Sequence, residues 1–198
     1  MVATKNRHKL DEMKGILSIP GLELVSLLDV DDPPRIVEDG DSFEENALIK
    51  ARAVAARFSW WALADDSGIE VDALGGAPGI HSARFGGESL SDHERNMLLL
   101  SKMKGIPMER RTARFRCVMA VVGPNGEEHL AEGRCEGRIA LEPKGEHGFG
   151  YDPVFLLHDG RTMAELSPED KNRISHRYRA LQAIRPKLVE LVERGAID

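Results

Sequence analysis

Two long apolar-patterned runs, Thr112 to Val122 and Glu128 to Leu141, are separated by little more than Pro124-Asn125-Gly126, and this limits the fold more than any other feature of the chain. Asn-Gly between alternating runs signals a β-hairpin, because the tight turn favours residues that tolerate positive φ. A parallel pair would instead need a helical crossover of a dozen or more residues. Helical periods stand on both sides of the hairpin. Leu10, Met13, Ile16 and Leu17 predict a helix that Pro20-Gly21 stops. Ser42 with Glu45 has capping-box spacing and predicts a helix over Phe43 to Phe58, with Phe43, Ala47, Ala51, Val54 and Phe58 as its apolar stripe. A second box, Ser91 with Glu94, opens a helix carrying Met97, Leu98, Leu100 and Met103, which Gly105 and Pro107 end. Leu181, Ile184, Leu188 and Leu191 face inward on a last helix, which Pro186 is expected to kink.

Extended segments are expected at Met1 to Thr4, Leu22 to Leu27, Arg35 to Glu38, Ala62 to Ala64, Ile69 to Val71 and Asp152 to Leu157, with Gly75 to Gly79 as loop. Helices thus fall between strands and after them. The predicted class is α/β of the mixed kind, a mixed β-sheet with helices packed on it.

The 198 residues contain no repeat, low-complexity tract or flexible tether, so residues 1–198 read as a single domain. A net charge of −6, from 27 Lys plus Arg against 33 Asp plus Glu, excludes a broad nucleic-acid-coating face. No apolar run approaches the roughly 20 residues of a membrane span. The first residues carry no secretory pattern, and the expected location is cytoplasmic. Cys117 and Cys135 stand 18 positions apart without ligand spacing, which argues against a zinc site; Cys117, within Cys117-Val118-Met119-Ala120-Val121-Val122, reads as a small buried hydrophobe.

Four clusters could carry chemistry. Thr4-Lys5-Asn6-Arg7-His8-Lys9 lies where a strand gives way to a helix, and free N–H groups with the positive end of the helix dipole suit an anion there; a solvated helix start capped by Asn6 fits the same residues. No GxxxxGK[ST] or GxGxxG pattern occurs. Asp65-Asp66-Ser67-Gly68 puts two carboxylates on consecutive residues at a strand end, so they face opposite ways. An aspartate so placed suits Mg²⁺, which takes one or two carboxylates together with substrate phosphates and water; a polar turn fits as well. Glu45 has a capping role of its own, and Lys50 follows on the same helix. Gly148-Phe149-Gly150-Tyr151-Asp152-Pro153 allows close backbone approach beside rings that can stack on a flat ligand, or that plug a core. Lys171 and Ser175-His176-Arg177 place cationic donors at the start of the last helix, with Ser175 as its cap.

Taken in order, the segments Thr4-Lys5-Asn6 to Lys9, Ser42-Phe43-Glu44-Glu45-Asn46-Ala47, Ala64-Asp65-Asp66-Ser67-Gly68, Leu74-Gly75-Gly76-Ala77-Pro78-Gly79, Ser82-Ala83-Arg84, Phe149-Gly150-Tyr151-Asp152-Pro153 and Ser175-His176-Arg177 resemble the inosine/xanthosine triphosphate pyrophosphatase family. The resemblance spans about the whole domain. It departs at Lys5, which stands where the family commonly has glycine.

The resemblance implies a long mixed β-sheet with flanking helices that form two lobes around a central cleft, in a homodimer. It implies hydrolysis of aberrant purine nucleoside triphosphates (dITP, ITP, XTP) to the monophosphate and pyrophosphate, with Mg²⁺ as cofactor. Asp66 would be the catalytic acid and, with Glu45, a metal ligand. Substrate would be bound by Thr4, Lys5, Asn6, Arg7, His8, Lys9, Lys50 and Lys171 on the phosphate side, with Ser67 beside the catalytic acid. Phe149, Gly150, Tyr151 and Asp152 would hold the base, and His176 and Arg177 would read its edge. No nucleic acid or membrane partner is implied. Two other classes stay open: a nucleotide-binding module without turnover, and a pyrophosphatase of the septum-inhibition family, which acts on modified pyrimidine triphosphates, dTTP or UTP.

Overall fold

The computed structural model describes residues 1–197. Helix α1 spans Arg7–Ile16 and α2 spans Phe43–Phe58; strand β1 spans Ala62–Val71, α3 Asp92–Lys102, β2 Thr112–Val122, β3 Glu128–Ile139 and β4 Phe155–Leu156; α4 spans Pro168–Ile174 and α5 His176–Glu193. The four strands form one sheet in the order β1-β2-β3-β4, and β3 pairs β4 antiparallel with Arg138 opposite Leu156. A parallel component comes from Val2, which bridges both Ser26 and Leu63. The mixed α/β class read from the sequence is the one observed.

Local chemistry explains the best-placed elements. Ser42 accepts from the Glu45 N–H and opens α2 at Phe43, the residue expected. Ser91 and Glu94 close a full capping box on α3. Asn6 caps α1 by accepting from the Lys9 N–H.

Other expectations are corrected. The stretches 22–27 and 35–38 form no strand, and only Ser26 of them makes a bridge. β1 runs unbroken through Asp65-Asp66-Ser67-Gly68, which removes the polar-turn alternative. The strand expected at Asp152–Leu157 shrinks to Phe155–Leu156, because Pro153 has no N–H for a ladder and the chain makes a 3₁₀ turn over Asp152–Val154. The expected last helix is observed as α5, with Pro186 inside it. Ser175 stands immediately before α5, where a cap is expected, and its N–H closes α4 on the Lys171 carbonyl.

The chain comprises two compact units. The first comprises Met1–Asp66, Cys117–Gly133 and the C-terminal stretch from His176; the second comprises Ser67–Arg116 and Arg134–Ser175. The divisions fall inside strands β1, β2 and β3. The first unit has a core of Val2, Leu10, Met13, Leu63, Cys117, Met119, Val121, Leu181, Ile184, Leu188 and Leu191, drawn from α1, α5 and the sheet. Glycine is required there at Gly133: a Cβ would come within 2.2 Å of the His176 carbonyl oxygen, so only glycine lets α5 begin so close to β3. The second unit has its own core of Ile69, Val71, Leu99, Met103, Ala113, Phe115, Ile139, Phe155, Met163 and Leu166. No helix among the described residues is long and apolar enough to cross a membrane.

Candidate active site

In the first unit, β1 delivers Asp65 and Asp66 side by side, 2% and 7% exposed. Alternation along the strand sends them to different partners. Asp65 Oδ2 accepts from Lys9 Nζ at 2.9 Å and from Arg177 Nη2 at 3.2 Å. Arg177, 1% exposed, also donates from Nη1 to Glu12 Oε2, so its guanidinium lies between two carboxylates. Asp66 Oδ1 accepts from Lys50 Nζ at 3.0 Å, and Lys50 also donates to Glu38 at 2.6 Å. Asp66 Oδ2 is buried with no hydrogen-bond partner.

These contacts drive the neighbouring aspartates apart. Burial favours a neutral Asp65, but Lys9, Arg177 and Lys50 outweigh it and hold the carboxyl far below the usual range. Burial dominates at Asp66, Lys50 and Lys9 offset it only in part, and the pKa rises. Burial also opposes the charge of Lys50, yet Asp66, Asp65 and Glu38 together hold its pKa above the ordinary lysine value. One carboxylate is thus a fixed anion, while the other is the more basic and has an oxygen to spare. Cys117, on β2 in the same unit, has its thiol pushed up to about 12 by burial first and the Asp65 charge second; it is the inert buried residue expected.

The remaining first-unit candidates divide. Thr4 is buried, its hydroxyl accepting from the Asn6 N–H, and His176 is buried at the start of α5. Lys5, Asn6, Arg7 and His8 are exposed around the start of α1, and the Asn6 side-chain oxygen is engaged as its cap. Glu45 is exposed, and its Oε2 accepts from the Asp41 N–H at 2.8 Å. Among the described residues no three His, Cys, Asp or Glu form a group able to hold a metal alone. The oxygen donors available here, led by the uncommitted Asp66 Oδ2, nevertheless fit a hard divalent cation completed by phosphate and water.

In the second unit, Asp152, 2% exposed, accepts at Oδ2 from both the Phe149 N–H at 2.9 Å and Lys171 Nζ at 2.5 Å. Lys171 Nζ lies 4.7 Å from the centroid of the half-buried Phe149 ring. Gly148 has φ +77°, and a Cβ there would strike Asp152 Oδ2 at 2.0 Å, so glycine is obligatory. Tyr151 donates its hydroxyl to the Ser82 carbonyl at 2.8 Å, and burial raises its pKa. Ser67, half-buried, opens this unit on β1.

Four residues of these networks escaped the sequence reading: Glu12, Glu38, Asp92 and Asn96, the last two on α3 against Gly150. Only Glu12 left a trace, since three residues after Lys9 it shares a helix face with it.

A Ham1 family model matches residues 1–187. The dITP/XTP pyrophosphatase of Symbiobacterium thermophilum is 52% identical over 195 residues, covering 98% of this chain and 97% of that protein. The dITP/XTP pyrophosphatase of Bacillus subtilis is 48% identical over 194 residues, covering 98% and 96%. Among solved structures, the Ham1 protein of Staphylococcus aureus matches with a TM-score of 0.85 at 39% identity over 94% of this chain and 96% of that one. A HAM1 protein of Coxiella burnetii matches with a TM-score of 0.87 at 40% identity over 96% and 97%.

Proposed function

The chain belongs to the Ham1 family, and from that premise we propose that it hydrolyses dITP, ITP and XTP to the nucleoside monophosphate and pyrophosphate, clearing aberrant purines from a cytoplasmic nucleotide pool as a homodimer. The observation that carries the reading is Asp66: a buried carboxylate of raised pKa, with Lys50 on one oxygen and the other uncommitted. A base whose pKa is moved toward neutrality is suited to orient and deprotonate an attacking water.

In this reading Asp66 holds the water and takes its proton, while Lys9 and Lys50 hold the triphosphate. Asp65, ionised between Lys9 and Arg177, keeps the lysine in place. Lys5, Asn6, Arg7 and His8, exposed around the start of α1, steer the anion in, and Thr4 supports that turn. Ser67 follows Asp66 on β1 and borders the water site. Asp66 and Glu45 would hold Mg²⁺, which when bound lends Lewis-acid stabilisation to charge developing on the phosphates. Phe149 and Tyr151 flank the base, with Gly150 between them; Asp152 fixes Lys171 against the Phe149 ring.

Hypoxanthine and xanthine present a carbonyl at position 6 where adenine presents an amine. A donor from His176, whose neighbour Arg177 is anchored by Glu12 and Asp65, pairs with the carbonyl and faces another donor in adenine. Pyrophosphate release from dITP, XTP, dGTP, dATP and dTTP with Mg²⁺ present tests the reading. Turnover of dITP and XTP far above the others is expected; preference for dTTP, or no turnover of any, would overturn it.

A further inference from the structure

Gly150 is gripped by both of its backbone polar groups from a single helix. Its N–H donates to Asp92 Oδ2 at 2.7 Å, and its carbonyl accepts from Asn96 Nδ2 at 3.0 Å. Asp92 and Asn96 are four apart on α3 and therefore lie one above the other on the same face. The grip holds a backbone that only glycine adopts readily, since Gly150 has φ +62°. The loop is tied on either side as well, by the Phe149 N–H to Asp152 and by the Tyr151 hydroxyl to Ser82. The Phe149 ring itself is capped by Lys171, whose Nζ lies 4.7 Å from its centroid.

Asn96 shows that this contact is not kept for stability alone. It is 3% exposed, and its Oδ1 is buried with no hydrogen-bond partner. Turning the amide over would set oxygen against the Gly150 carbonyl, so the donor must face the loop and the acceptor is left bare. An apolar side chain of the same shape would remove that bare oxygen, but it could not hold Gly150.

We infer that Asp92 and Asn96 are positioning residues for the base: α3 sets the Gly150 peptide, Gly150 sets the Phe149 ring, and the ring sets affinity for the purine. This rests on the proposed reading in which Phe149 meets the base. The test compares the full-length wild type with Asn96→Leu, Asp92→Ala and Asp92→Asn by two readouts. The first is backbone amide exchange over peptides covering residues 148–152, which needs no substrate. The second is KM and kcat for dITP.

For Asn96→Leu and Asp92→Ala, exchange is expected to quicken about 10-fold, with KM up about 10-fold and kcat within about twofold of wild type. Asp92→Asn keeps an acceptor and is expected to stay near wild type in both. Asn96→Leu, which loses a bare buried oxygen along with the Gly150 bond, should still unfold in one cooperative transition, separating a loosened loop from a damaged fold. Unchanged exchange in Asn96→Leu overturns the clamp whatever the activity. Faster exchange with unchanged KM overturns its role in base affinity. A wild type inactive on dITP would count against the functional reading, and the exchange arm would still decide the clamp.

Discussion

The carboxylates of β1 and the loop around Gly150 are both buried polar constructions, built on opposite principles. At β1 the currency is net charge: Asp65, Asp66, Glu12 and Glu38 are set against Lys9, Lys50 and Arg177, and the balance decides which aspartate is basic. At the loop it is backbone geometry, with the N–H groups of Phe149 and Gly150 and the Gly150 carbonyl each given a side-chain partner. Charge placed by long side chains can be altered without moving the chain, whereas a shape held by backbone hydrogen bonds changes only when the chain moves. Substitutions in the first region should therefore act on kcat, and those in the second on KM.

The largest expected effect is that of Asp66→Asn, which keeps shape and removes the base: kcat should fall by about 10³-fold or more, while the variant still folds, since Lys50 keeps Glu38 as a partner. A folded variant with wild-type kcat would end the assignment. Next is Arg177→Met, which leaves Glu12 without its buried cation and Asp65 with Lys9 alone, and should cost about 3–5 kcal/mol in urea unfolding. Its pH dependence has a definite sign. With its pKa depressed by Lys9 and Arg177, Asp65 contributes stability that is fully present above the unfolded carboxylate value of roughly 3.9 and is lost as pH falls through the folded value. Without Arg177 the folded value lies higher, so that acid limb should be smaller and end at higher pH.

A smaller change is expected on the other side of the comparison. Phe149→Ala should raise KM for dITP by about 10-fold with little change in kcat; a loss confined to kcat would erase the contrast between the regions. Smallest of all, Cys117 should resist alkylation at pH 8 until the protein unfolds, because its thiol is buried with its pKa near 12. Rapid labelling of the native protein would show that the interior around Asp65 opens.

Features closed within a few residues were legible in the sequence. Helix α2 begins at Phe43 because the Ser42 side chain accepts from the Glu45 N–H three residues on, and α3 is announced by the full capping box of Ser91 and Glu94. The alternation at Asp65-Asp66 correctly sent the two carboxylates to opposite partners. The partners themselves could not be read, since Arg177 is 112 residues from Asp65 and 165 from Glu12, and the Asn96 grip on Gly150 spans 54. Asp92 and Asn96 resemble any polar positions on a helix. Arg35 to Glu38 was expected to be extended on composition alone, and what places Glu38 is its contact with Lys50. Pro153 shortens the neighbouring strand to Phe155–Leu156, because it cannot donate to a ladder.

The span from Glu12 to Arg177 also bears on how the molecule is made. A ribosome delivers the acids of α1 and β1 early and the guanidinium that neutralises them more than a hundred residues later. Until Arg177 emerges, Asp65 has Lys9 beside it but Glu12 lacks its buried cation, so the ion-pair network of the first unit is completed only at the end of that interval. The second unit, drawn entirely from residues 67–116 and 134–175, is synthesised in full before then. A product released just short of Arg177 would carry nearly every residue of the proposed site and still lack the cation that completes its ion pairs.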